Sequence, residues 1–159
     1  GAVHCLSEAL GGLYDTPHGL GNSAILYQTM KYHQPFVRER FIELFHRIQL
    51  DKKMVYIMLA KEMDGGESAL KKMEKDQVFM LCLDRLRSEI GYVLKSYTDL
   101  NVQQADYPKI VKECVLNGSN ASNPQPMEEH NYYELLEMLE NDKIVHIENP
   151  CLEHARCAK

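Results

Sequence analysis

The stretch from residue 1 to residue 22 reads GAVHCLSEALGGLYDTPHGLGN, and its spacing governs how the rest of the chain is read. His4 and Glu8 are four residues apart, so on a helix they share one face. Asp15-Thr16-Pro17 makes a tight connection, with Thr16 as N-cap and Pro17 at the first helical position, so a second helix runs from about His18 to Tyr32. His18 then sits in the first turn of that helix, and three potential ligands converge. An imidazole binds a divalent transition metal through a neutral nitrogen, and two His with a carboxylate suit iron or zinc better than calcium or magnesium. Taken alone, the same residues also read as hydrogen-bonded core histidines. The pairs Gly11-Gly12 and Gly19-x-Gly21 imply close backbone approach, either for tight helix packing or for access to a buried site.

Outward from this opening the periodicity stays helical, and no strand-like alternation of five or more residues stands out. Gln34-Pro35 is expected to end the helix that begins at His18. Val37, Phe41, Leu44, Phe45 and Ile48 mark the next helix, and Val55, Met58 and Leu59 another, up to a break at Asp64-Gly65-Gly66. Asp64 with Glu67 resembles a capping box opening one long helix that carries Leu70, Met73, Phe79, Leu83, Leu86 and Ile90 to Gly91. Ile110, Val111, Cys114 and Val115 mark a shorter helix. Asn117 to Pro126 reads as a loop, and Tyr132, Leu135, Leu136 and Leu139 as a final helix. The fold class is all-α, a multi-helix bundle, with residues 1–141 as the helical domain and 142–159 as a C-terminal extension.

A chain of 159 residues has room for a sizeable core, and with 45% hydrophobic and 26% charged residues its composition is that of an ordinary globular domain. No apolar run approaches the roughly 20 residues that span a bilayer, and Gly1–Tyr14 lacks the basic flank of a secretory signal. Neither a membrane nor a nucleic-acid partner is expected, since the net charge is −5 and the basic residues are interspersed with acids. Five cysteines, an odd number, suit reduced thiols and a cytoplasmic location. On that expectation Asn117 and Asn120, each in a glycosylation-type triplet, stay unmodified. The eight methionines read as core gap-fillers. No G-x-G-x-x-G or phosphate loop follows a strand, so no Rossmann half is visible in this sequence.

The opening stretch resembles the signature of the iron-containing alcohol dehydrogenases, G-x-x-H-x-x-x-H-x-L-G running through a short turn into P-H-G-x-x-N. Gly1, His4, Leu10, Gly11, Pro17, His18, Gly19 and Asn22 fall on that pattern. Glu89-Ile90-Gly91-Tyr92 with Leu94, Tyr107-Pro108 and Asn123-Pro124 carry the likeness more loosely to about Glu140. The resemblance implies the helical C-terminal half of a two-domain enzyme whose other half binds NAD(P). It implies His4 and His18 as ligands of Fe(2+) or Zn, bound weakly or not at all by two histidines alone, with the other pair, a D-x-x-x-H motif, preceding Gly1. Glu8 replaces the family's middle histidine, the residue placed near the nicotinamide and the substrate.

The expected function is therefore the metal-binding half of an iron-dependent NAD(P) alcohol dehydrogenase, inactive as this chain alone. The alternatives are a non-catalytic interaction module that keeps the fold, or a small stand-alone metal-binding protein using His4, Glu8 and His18 with water. The expected partners are a separate NAD-binding domain or a second copy of the chain, through an apolar patch around Leu6, Leu10 and Leu13. In the tail His146, Cys151, His154 and Cys157 form a second candidate cluster. Its spacing matches no familiar zinc pattern and Pro150 interrupts it, which favours a plain terminal extension.

Overall fold

The computed structural model describes residues 1–47, 61, 65–90 and 96–142, and these are helical without a strand among them. The α-helices are α1 (Ala2–Tyr14), α2 (His18–Arg47), α3 (Gly66–Lys72), α4 (Lys75–Ile90), α5 (Tyr107–Leu116) and α6 (Glu129–Glu140). Short 3₁₀ turns occupy Tyr97–Leu100, Gln104–Asp106 and Gly118–Ser122. The all-α expectation holds. The helical stretch expected around Val55, Met58 and Leu59, the Asp64 cap, Gly91 and the tail cluster at His146, Cys151, His154 and Cys157 lie outside the described residues.

Helix α1 is the hub. Cys5, Leu6, Ala9 and Leu10 recur at helical spacing and face α2 on one side and α5 on the other. Leu6 and Leu10 are completely buried, each contributing roughly 1.5–3 kcal/mol through removal of its side chain from water. The patch expected around Leu6, Leu10 and Leu13 is thus not a surface feature: two of the three leucines are core, and Leu13 alone is exposed. The correction is physical, because the helices of this domain already cover that stripe.

Polar pins fix both ends of α1. At its start the Ala2 backbone N–H donates to Asn123 Oδ1 at 2.6 Å. At its end Tyr14 Oη donates to Asp106 Oδ2 at 2.7 Å and accepts from the Gln103 backbone N–H. The segment expected as a plain loop after Asn117 is instead wound into the 3₁₀ turn Gly118–Ser122. Asn120 holds that turn in place, donating to the carbonyls of Val115 and Met127 and accepting from Tyr132 Oη.

Helix α2 does not stop at Pro35. The ring removes one backbone donor and crowds the preceding turn, and the chain answers with a single non-helical residue, Val37 (φ −126°, ψ 23°), before the helix resumes. The two limbs serve different cores. Ala24 and Ile25 join α1, α5 and α6, whereas Phe41 and Phe45 pack with Leu70, Val78, Phe79 and Met80. The long helix expected from Leu70 to Ile90 is likewise broken. Met73 is extended, its N–H closing α3 on the Leu70 carbonyl, and the Glu74 N–H donates to Gln77 Oε1 to open α4. Apolar periodicity runs straight across that break, so spacing alone does not reveal it.

Two buried carboxylates tie α4 to its neighbours. Asp76, in the first turn of α4, accepts from Gln34 Nε2 at 2.9 Å and Arg38 Nε at 3.3 Å on α2. Burial by itself would raise the Asp76 carboxyl, but the hydrogen bonds from Gln34 and Arg38 outweigh it and hold it below the usual carboxylate range. Because its folded pKa is depressed, its contribution is present above the ordinary value of about 4 and is lost as pH falls through the folded one. Denaturation measured across acidic pH is expected to show a flatter acid limb for Asp76→Asn than for the parent chain.

Asp142, just beyond α6, takes both guanidinium nitrogens of Arg87, which lies over the Tyr27 ring at 4.1 Å from its centroid. Arg87 also reaches Asp84 at 2.8 Å. Asp142→Ala leaves a buried cation without its main partner and is expected to cost about 3–5 kcal/mol in urea denaturation. The Arg87→Met/Asp142→Leu double variant, with no charge stranded, is expected to regain most of that loss.

Candidate metal centre

The candidate site forms where two helices cross with two pairs of residues in register. On α1, His4 and Ser7 are three apart and share a face; on α2, His18 and Gly21 do the same. The helices meet on these faces. A Cβ added to Gly21 would lie 3.3 Å from Ser7 Cβ and 3.5 Å from its Cα, so glycine gives the backbones a tight approach that a side chain would have to push apart slightly.

That crossing brings the rings of His4 and His18 to 5.2 Å between centroids, tilted by 53°. A zinc-type ion about 2.1 Å from a ring nitrogen lies roughly 3.2 Å from the ring centroid, so two imidazoles at a tetrahedral angle have centroids roughly 5.3 Å apart. The observed spacing fits two ligands of one ion. His18 Nδ1 lies 3.0 Å from the hydroxyl oxygen of Ser7, which is itself buried.

Glu8 does not join them. It is one turn along α1 from His4, but its carboxylate accepts from Asn117 Nδ2 at 2.6 Å, ahead of the 3₁₀ turn. The expected convergence of three ligands therefore reduces to two, and among the described residues no group of three or more His, Cys, Asp or Glu side chains is gathered to hold an ion. A competing partner decides the matter: an amide supplied from more than a hundred residues away claims the carboxylate.

Beside His4 lies an open cleft of about 280 Å³, walled by Val3, Thr29, Met30, His33, Asn123 and Pro124 among others. His33 is buried, burial pushes it below the usual histidine range, and neither ring nitrogen has a partner. It therefore stays neutral near neutral pH. Sequence reading missed it because the helix was expected to end at Tyr32. Continuing the buried stripe of Gly21, Ile25 and Thr29 by four residues would have reached it.

Comparison with known proteins gives the same frame. Residues 1–139 match the model of the Fe-containing alcohol dehydrogenase family, C-terminal. The 1,3-propanediol dehydrogenase of Citrobacter freundii is 28% identical over 125 residues, which is 79% of this chain and 28% of that protein. The enzyme of the same name from Klebsiella pneumoniae is 27% identical over the same length. The lactaldehyde reductase of Escherichia coli (strain K12) is 36% identical over 44 residues, 28% of this chain and 12% of that protein. A crystal structure of a 1,3-propanediol oxidoreductase superposes with a TM-score of 0.66 at 22% identity, over 87% of this chain and 32% of that one, and shares the fold. This chain belongs to the Fe-containing alcohol dehydrogenase family, matching its C-terminal region. It spans about a quarter to a third of the length of these full-length relatives.

The helix crossing gives a direct test. Gly21→Leu drives a side chain into Ser7 and is expected to cost about 1–3 kcal/mol by overpacking. It is also expected to spread the histidines apart, so thermal unfolding and metal affinity should fall together.

Proposed function

We propose that this chain is the metal-binding half of an iron-dependent, NAD(P)-linked alcohol dehydrogenase, acting on alcohols or aldehydes only together with a nucleotide-binding domain. The observation that carries the reading is the 5.2 Å approach of His4 and His18, at the two histidine positions of the family motif. When bound, Fe(2+) or Zn supplies Lewis-acid polarisation of an alcohol or carbonyl oxygen, and NAD(P) supplies the hydride acceptor or donor. His4 and His18 would hold the ion. Two ligands give weak binding, because affinity depends on a filled and oriented coordination sphere.

The cleft beside His4 is the natural seat for the carbon skeleton of a small alcohol. Val3, Met30 and Pro124 give it apolar walls for such a skeleton. Glu8 stands where the family places its middle histidine. An ionised carboxylate only accepts hydrogen bonds, whereas an imidazole both donates and accepts, so the role near the nicotinamide is not carried over unchanged. That replacement favours a second reading, a non-catalytic interaction module that keeps the fold. A stand-alone metal-binding protein would need Glu8 to leave Asn117. The partner in the main reading is a separate NAD-binding domain, or a second copy of the chain. Among the described residues no helix is long and apolar enough to cross a membrane. The odd count of five cysteines favours a reducing, cytoplasmic setting.

Cobalt or zinc titration of the purified chain is expected to show weak one-site binding that disappears in the His4→Ala/His18→Ala double variant. Mixing the iron-loaded chain with a nucleotide-binding domain of the family is expected to restore NAD(P)-dependent alcohol oxidation. Metal binding with no hydride transfer in any such mixture would select the interaction module instead.

A further inference from the structure

Ser7 and His18 meet inside the α1–α2 crossing, with Ser7 Oγ 3.0 Å from His18 Nδ1. An imidazole offers an ion only a nitrogen without a proton, and which nitrogen is bare is set by the hydrogen bond that the other one makes. Neither the family motif nor the spacing of the histidines points to residue 7. We infer that Ser7 is a positioning residue: its hydroxyl oxygen accepts from Nδ1–H of His18 and so leaves Nε2 as the nitrogen available to a metal.

Three observations support this role. Ser7 is only 1% exposed, so water does not readily take over its part of the hydrogen bond. Its position is fixed by the backbone rather than by a flexible stem, because Gly21 packs directly on its Cα and Cβ. And with Nδ1 already engaged, Nε2 is the nitrogen of His18 left to pair with His4, whose ring is 5.2 Å away. Without the Ser7 hydroxyl, Nδ1–H loses the acceptor that favours it, and the ring is free to carry its proton on Nε2 instead. The proton would then sit on the nitrogen the ion needs.

The inference rests on the reading of His4 and His18 as a metal pair, and two measurements separate their failures. The first needs no metal. Two-bond proton–nitrogen correlation spectra of the chain labelled at histidine nitrogens, recorded well above the histidine titration range, are expected to show His18 as the Nδ1–H tautomer. In Ser7→Ala, His18 is expected to shift toward Nε2–H, while the exposed His46 and His130 keep their patterns. His18 found with its proton on Nε2 in the parent chain overturns the inference without any variant, as does an unchanged tautomer in Ser7→Ala.

The second is a cobalt titration, in which Ser7→Ala is expected to weaken binding roughly ten- to a hundredfold, with circular dichroism and melting close to the parent. Equal affinity in both proteins overturns the positioning role. Parent binding that survives in the His4→Ala/His18→Ala variant sinks the metal-pair reading itself, while leaving the tautomer result to stand on its own.

Discussion

Everything at the candidate site depends on how closely α1 and α2 approach at Gly21. With 3.3 Å between the place of a glycine Cβ and Ser7 Cβ, the two helices approach closely at a position that leaves little room for a side chain. The approach puts His4 beside His18 and the Ser7 hydroxyl against Nδ1 of His18. A small shift of either helix axis would change the separation of the rings, since each is carried by its own helix. The rest of the domain then reads as scaffolding for one contact. The Asn123 pin on Ala2 and the Tyr14–Asp106 bond hold α1 at its two ends, and α5 and the 3₁₀ turn Gly118–Ser122 pack along it.

The kink at Val37 has a related consequence. It lets a single helix take part in two apolar clusters, one around α1 and one around α3 and α4. His4 and His18 project from the α1–α2 contact, on the side of the first cluster. The buried Asp76 pairs with the half-exposed Arg38 beside the second cluster, and the buried pair of Asp142 with Arg87 joins the end of α6 to α4.

Membership of the Fe-containing alcohol dehydrogenase family and the geometry of the two histidines agree with each other, and Glu8 is where the chain departs. Its bond to Asn117 gives that departure a structural home: the carboxylate docks on the far turn instead of facing the space shared by the rings. The neighbouring cleft adds His33, a neutral histidine whose nitrogens are sealed from solvent and unpaired. In a buried setting such a group has a cost of about 1–3 kcal/mol for each unmet hydrogen bond. The domain carries that cost immediately beside its candidate site.

The sequence by itself determined the helical class, the turn at Asp15-Thr16-Pro17, the helix opened by Tyr107-Pro108, and the nearness of His4 to His18. These are local facts: proline chemistry, a 3.6-residue period and a motif whose residues are near in sequence. Tertiary structure decided the rest. Whether Pro35 ends a helix or bends it turned on each limb having its own core to cover. Whether Glu8 becomes a ligand turned on Asn117, a residue more than a hundred positions away, and the burial of Leu6, Leu10 and His33 turned on neighbours equally remote in the chain. Such outcomes are competitions between distant partners for the same side chain, and spacing along one segment contains no record of the competitor.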